Sequence, residues 1–150
     1  GKTAKGMFYI SSVFPTAVDM AGIAIPESVQ APSIKPLIEG EKSTLYDSIY
    51  GSYRHFQRML RTEEYKLIYY PHLKKTQLFN MITDPDELVD LSENKNQRKR
   101  IVAMMKELES WKKTVGDPLD NNNVESSFKM MGGVKDKDHR RLMKENNSAH

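Results

Sequence analysis

Residues 57–85 read QRMLRTEEYKLIYYPHLKKTQLFNMITDP, a close succession of strand-like segments that ends on a proline-marked helix start. Residues 57–62, 64–70 and 77–83 are short runs holding apolar and aromatic residues, bounded by polar links, and read as strands. The connections between them, Thr62-Glu63-Glu64 and the polar PHLKKT of 71–76, are too short for a parallel crossover, so neighbours pair antiparallel. The tyrosine-rich stretch 45–54, LYDSIYGSYR, adds a fourth strand ahead of them. Four strands with short links predict a meander.

At Asp84-Pro85-Asp86-Glu87 the pattern changes. An aspartate can accept a backbone N–H at a helix start, proline suits the first helical position, and glutamate falls three residues after the cap. A helix of one or two turns is expected over 87–91. Residues 95–115 form the clearest helix: Ile101, Met104, Met105, Leu108, Trp111 and Val115 make one apolar stripe, with Lys and Arg opposite. The expected class is α+β, a four-stranded antiparallel sheet packed on a long C-terminal helix.

Ahead of the sheet, 7–24 is an apolar run broken by Pro15. Phe14, Ala17, Val18 and Ala21 fall at helical spacing, Pro15 suits a first turn and Gly22 a stop. Residues 7–13 are short enough to be either a buried strand feeding that helix or part of the helix itself. Residues 25–44 carry three prolines and a glycine and predict an irregular connector pinned by Val29, Ile34, Leu37 and Ile38. From 121 to 150 no apolar period is sustained, which predicts a flexible tail.

Composition removes several classes of function. Lys+Arg number 23 against Asp+Glu 20, a net charge of +3, so the charges are mixed and no nucleic-acid partner is called for. There is no cysteine, hence no disulfide framework, thiolate zinc site or cysteine nucleophile. No apolar run approaches the roughly 20 residues of a membrane span, and GKTAKG at the start lacks a signal-peptide core. No membrane partner is expected.

Five segments in order, FPTAVDMAGIAIP (14–26), SIKPLIEG (33–40), SIYGSYRHFQRMLRTEEYKLIYYP (48–71), QLFNMITDPDELVDL (77–91) and GDPLD (116–120), resemble the last quarter of a type I sulfatase. The likeness is to the bacterial exported branch, arylsulfatase, choline-sulfatase-like or N-sulphoglucosamine sulphohydrolase-like. Each segment alone is weak, whereas five in register over 14–120 are specific. Asn80 stands where that family usually has Asp, and Ala31 where a Gly is common; both positions look structural. The resemblance implies that 1–40 end a catalytic domain and cross over, that 41–120 form the C-terminal subdomain of an alkaline-phosphatase-like α/β enzyme, and that 121–150 are the tail. It further implies a periplasmic or secreted parent, a sulfuric ester hydrolase acting on a sulfated carbohydrate or other sulfate ester.

Such enzymes use a formylglycine made from Cys or Ser in a Cys/Ser-x-Pro-x-Arg motif, together with Ca²⁺. Neither requirement is met here. The chain has no cysteine, and none of its seven prolines has Ser two before and Arg two after. Asp84 and Asp86 flank a proline at a helix cap, where a structural role outweighs metal binding. This chain by itself is therefore expected to be noncatalytic, with no metal or cofactor site, and its partner is the N-terminal catalytic domain, which would carry formylglycine and Ca²⁺.

What the subdomain would supply is contact with the substrate. The resemblance places that role around Tyr53, Arg54, His55, Gln57 and Arg58. Arginine forks suit sulfate and carboxylate groups, and His55 adds a donor; the plainer alternative makes Arg54 and His55 solvated turn residues. Arg61 and Lys66 are expected to be exposed or paired with Glu63 or Glu64. His72 beside Lys74 and Lys75 suits a surface patch, Trp111 suits the core more than a sugar platform, and RKR at 98–100 and HRR at 139–141 suit solvated faces more than polyanion sites. The 7–24 run, parted from its parent sheet, is expected to pack on a neighbouring chain or to disorder. A free-standing α+β binding module for polyanionic glycans is the alternative to the sulfatase subdomain. An upstream Cys/Ser-x-Pro-x-Arg motif would separate the two.

Overall fold

A computed structural model describes residues 3–119; the expected tail at 121–150 and the HRR of 139–141 lie outside them. Four strands, β1 (Ser48–Tyr53), β2 (Gln57–Thr62), β3 (Tyr65–Tyr70) and β4 (Lys75–Asn80), form one sheet in the order β1-β2-β3-β4, every neighbouring pair antiparallel. The expected meander is present. β4 starts and ends earlier than the apolar pattern of 77–83 predicts, because the Asn80 side chain ends the ladder. Its Oδ1 accepts the N–H groups of Ile82 at 2.9 Å and Thr83 at 3.1 Å, closing a turn. An aspartate offers the same oxygen, so Asn80 is a neutral substitute in a structural position.

One row of side chains crosses the whole sheet. Tyr50 pairs with Leu60, Leu60 with Leu67, and Leu67 with Leu78. Met104 and Leu108 of the long helix α1 (Arg98–Thr114) close over this row to complete the core. Both ends of the row lie on edge strands, where backbone groups need partners other than a neighbouring strand. At the β1 edge, the Tyr9 hydroxyl donates to the Tyr50 carbonyl (3.1 Å) and accepts from the Tyr50 N–H (2.8 Å). At the β4 edge, Leu78 donates its N–H to Asp90 Oδ1 (3.0 Å), and its carbonyl accepts from the Leu91 N–H (2.8 Å).

That second cap corrects the helix expected over 87–91, which does not form. Asp84 does accept backbone N–H groups, but from Leu88 and Val89. Glu87 adopts a left-handed φ of 58° and bonds through both carboxylate oxygens to Lys66 Nζ at 2.8 Å. A helix would turn the polar groups of 90–91 inward and leave the edge of β4 bare. The Lys66 partner is thus Glu87, not Glu63 or Glu64.

The long helix, α1 (Arg98–Thr114), follows a 3-10 turn at Lys95–Gln97 whose first N–H groups meet the Asn94 side chain. Its buried face is Ile101, Met104, Met105, Leu108 and Trp111, as the stripe predicts. Val115 is a correction: it is 52% exposed, past the helix end, while Lys112 is buried beside Glu109. Trp111 packs on the core and donates its indole N–H to Ser48 Oγ at 2.8 Å, so it is no sugar platform here. Arg100 of the RKR triplet lies 3.8 Å over the Tyr65 ring and also bonds Gln97, whereas Arg98 and Lys99 are exposed.

The N-terminal segment contains two helices of its own, α2 (Val13–Met20) and α3 (Lys35–Glu39). The strand alternative for 7–13 is overturned, because a 3-10 turn at Ile10–Ser12 runs directly into α2. The connector at 25–44 is less irregular than expected: Pro36 opens α3, and Gly40 at a φ of 80° ends it. Thr16 Oγ1 ties the two helices, donating to the Ser12 carbonyl (2.5 Å) and accepting from the Ile34 N–H (2.9 Å). The buried face of α2 is therefore Ser12, Pro15 and Thr16, and its apolar residues point outward. Ile10 is 85% exposed, Phe14 55% and Met20 62%.

Candidate functional site

The β1–β2 hairpin turns through Arg54, His55 and Phe56. Arg54 sits at a φ of 47°, a left-handed conformation that costs an L-residue with a Cβ about 1–2 kcal/mol. This twist leaves Tyr53 and Arg54 exposed at the tip while turning His55 inward, where it is 3% exposed. The His55 ring packs at a tilt of 39° against Phe56 with centroids 4.0 Å apart and meets His72 edge-on at 5.2 Å. Since His72 belongs to the β3–β4 turn, the two turns at this end of the sheet are joined. His72 is thus part of a packed aromatic cluster and not of a lysine patch. His55 is likewise no solvated turn residue.

The five candidate residues divide by environment. Tyr53 and Arg54 are exposed and Gln57 half-buried. Tyr53 and Gln57 line a shallow groove of about 250 Å³ with Ser52, Met59 and Ile68, on the sheet face away from α1. Gly51 forms its floor, and a Cβ there would come within 2.9 Å of the Met59 methyl. A larger groove of about 770 Å³ runs along β4 between Lys74, Asp90 and Arg98, and none of the five candidates lines it.

Arg58 belongs to the interior, with 1% of its surface exposed. Its Nε and Nη2 form a fork on Asp117, at 2.5 Å to Oδ2 and 2.9 Å to Oδ1. Its Nη1 donates to the Arg54 carbonyl (2.5 Å) and the Gln57 carbonyl (2.8 Å). Four of its five N–H donors are therefore committed. Asp117 is equally occupied: it also accepts from the Tyr50 hydroxyl and the Leu119 N–H. Burial works against the Asp117 charge, but hydrogen bonds from Arg58, Tyr50 and Leu119 outweigh it and hold the carboxyl below its ordinary range. The same burial, with the hydrogen bond to Asp117, pushes the Tyr50 phenol well above its usual range.

Asp117, Tyr50 and Tyr9 carry no role in the sequence reading. The signal available for Asp117 is its place in GDPLD, one residue after the Gly116 that ends the helix region at a φ of 66°. An acid fixed at the end of a long helix is a natural partner for a strand arginine.

Residues 2–114 match the family described as N-sulphoglucosamine sulphohydrolase, C-terminal. The chain belongs to that family of sulfatase C-terminal domains. The arylsulfatase of Clostridium perfringens is 31% identical over 116 residues, covering 73% of this chain and 24% of the relative. The N-acetylglucosamine-6-O-sulfatase of Bacteroides thetaiotaomicron is 26% identical over 129 residues, covering 78% and 23%. Among solved structures, a protein complexed with its substrate D-glucosamine-2-N,6-O-disulfate superposes with a TM-score of 0.60 at 25% identity, covering 71% of this chain and 24% of that one. A 2-O glycosaminoglycan sulfatase superposes with a TM-score of 0.60 at 26% identity, covering 70% and 24%. The chain spans about a quarter of the length of each of these two sulfatases.

The residues present do not fit the groups on which sulfatases rely. No residue of the chain matches the formylglycine motif. Among the described residues no cluster of three His, Asp or Glu side chains is arranged to hold a metal ion. No step of ester hydrolysis is assigned to them.

Proposed function

We propose that this chain is the noncatalytic C-terminal subdomain of a sulfatase and forms part of its substrate rim through the 53–58 turn. The observation that carries this reading is the family match over 2–114 in a chain that spans about a quarter of each of those two sulfatases. The N-terminal catalytic domain supplies the formylglycine and Ca²⁺, and this subdomain supplies Tyr53, Arg54 and Gln57 to the sugar or other group that bears the sulfate. An exposed guanidinium at a fixed turn suits a sulfate or carboxylate oxygen pair, and a neighbouring tyrosine face suits a sugar ring. His55 and Arg58 support the turn from beneath.

The outward apolar face of α2 completes this reading. Ile10, Val13, Phe14 and Met20 are all more than half exposed, and large apolar side chains gathered on one exposed segment suit an interaction surface. It is where the catalytic domain docks, so 1–40 serve as the junction and 41–120 as the subdomain.

The test is steady-state kinetics on the full-length protein with N-acetylglucosamine 6-O-sulfate, D-glucosamine-2-N,6-O-disulfate and p-nitrophenyl sulfate. Hydrolysis of a sulfated sugar is expected, and Arg54→Ala should raise its KM while leaving kcat and formylglycine content unchanged. No turnover of any of the three esters would count against the sulfatase reading. Unchanged KM in the Arg54→Ala variant would remove the turn from the rim.

A further inference from the structure

The Arg58 guanidinium links the end of α1 to the β1–β2 turn. We propose that Asp117 is a positioning residue for the substrate rim, acting through Arg58 to set the conformation of the turn that carries Tyr53 and Arg54; this rests on the reading of that turn as the rim. The rings of His55 and Phe56 anchor the turn on His72, while its backbone carries one internal bond, Phe56 N–H to the Tyr53 carbonyl at 3.1 Å, and keeps Arg54 in a left-handed conformation that residues with a side chain rarely adopt.

The missing constraint is the third nitrogen of the guanidinium. The group is a rigid plane, so the two bonds from Nε and Nη2 to Asp117 fix where Nη1 points. Nη1 then donates to the carbonyls of Arg54 and Gln57, one on the turn and one on the strand that leaves it. At 1% exposure the donors left over by the Asp117 fork need acceptors of their own. Here the remaining donors reach the turn, and the Tyr50 hydroxyl together with the Leu119 N–H holds the carboxylate in the one orientation that aims them. The position of the helix end is thereby transmitted to the direction in which Arg54 projects.

Arg58→Lys is the informative variant, because it keeps the charge beside Asp117 but has no planar fork to reach the two carbonyls. In the full-length protein it should raise KM for the sulfated sugar by about threefold to tenfold with kcat retained. KM for p-nitrophenyl sulfate, which has no sugar to reach the rim, should not move. In an Arg54→Ala background the effect of Arg58→Lys on KM should shrink, since one of the two residues through which it acts is gone. Hydrogen–deuterium exchange at 53–57 should accelerate in Arg58→Lys, and Tyr50→Phe should produce a smaller version of both changes if Arg58→Lys folds poorly. An unchanged sugar KM, an equal KM rise with and without Arg54, or an equal loss of kcat on both esters would overturn the proposal. If Arg54→Ala has no effect on KM while exchange at 53–57 still accelerates in Arg58→Lys, the rim reading fails and the coupling of Asp117 to the turn stands.

Discussion

The Tyr9 hydroxyl occupies both backbone hydrogen-bonding positions of Tyr50, 41 residues along the chain, and so closes the outer edge of β1. The same ring meets Tyr46 edge-on at 5.3 Å, so one side chain joins the N-terminal segment to the sheet. Tyr9→Phe keeps the ring and removes the closure. It should destabilise the protein by about 1–2 kcal/mol in urea unfolding, and Tyr50 should lose amide protection selectively. Unchanged stability and unchanged exchange at Tyr50 would show that the hydroxyl matters less than the ring.

Leu67 stands in the middle of the row that crosses the sheet and is fully buried beneath α1. Leu67→Ala should cost about 2–5 kcal/mol, read from the shift in denaturation midpoint at constant slope. A cost near that of a surface substitution would mean that helix and sheet are not packed as described.

Ser48 Oγ accepts from the Trp111 indole N–H at 2.8 Å and donates to Glu107. Ser48→Ala leaves that N–H without its partner in a partly buried position, at an expected cost of about 1–3 kcal/mol. As Trp111 is the only tryptophan, its fluorescence reports the change directly. A spectrum and stability like those of the parent protein would place water, and not Ser48, as the effective acceptor.

Asp117 and Tyr50 impose opposite limits on pH. The folded pKa of Asp117 lies below its unfolded value near 3.8, so its contribution is present above that value and is lost as pH falls through the folded pKa. The Tyr50 phenol is raised above its unfolded value of 10.0; its contribution is present below that value and is lost as pH rises toward the folded pKa. Stability owed to this pair should be flat between about pH 5 and pH 9 and fall on either side. Tyr50→Phe should flatten the alkaline limb and Asp117→Asn the acid limb, followed by thermal melts across pH. A Tyr50→Phe protein with an undiminished alkaline limb would assign that limb to other tyrosines.

The apolar face of α2 has a consequence for the isolated chain. Without a covering surface, Phe14 and its neighbours should drive self-association that rises with concentration, and Phe14→Glu should reduce it, as measured by sedimentation velocity. A monomer at all concentrations with the parent residue would mean that this face is tolerated in water.

The strands were legible because their signal is local. Short apolar and aromatic runs such as 57–62 and 64–70 are written in adjacent residues, and short connections permit one pairing order. The stripe of α1 was legible for the same reason, as far as Trp111. The helix anticipated at 87–91 shows where locality ends. Its cap residue Asp84 behaves as a cap, but Asp90 and Leu91 are needed at the edge of β4, and that demand outweighs the weak tendency of five residues to coil. The spacing around Phe14 forms the expected helix, but its small and polar side finds Ile34 through Thr16 while its apolar side finds nothing among the described residues to cover it.

The candidate turn was legible as a place and not as an arrangement. Arg54, His55 and Arg58 look alike in the sequence, three polar residues around a hairpin. The tertiary structure exposes the first, packs the second against His72, and buries the third. By itself the sequence determined the sheet order, the long helix, the family and the absence of the formylglycine motif, because periodicity, short loops and ordered motifs are properties of neighbouring residues. Only the tertiary structure decided which polar side chains face water and which face one another. A buried guanidinium needs a carboxylate, and the one that meets Arg58 lies 59 residues away at Asp117, brought there by the helix that covers the sheet.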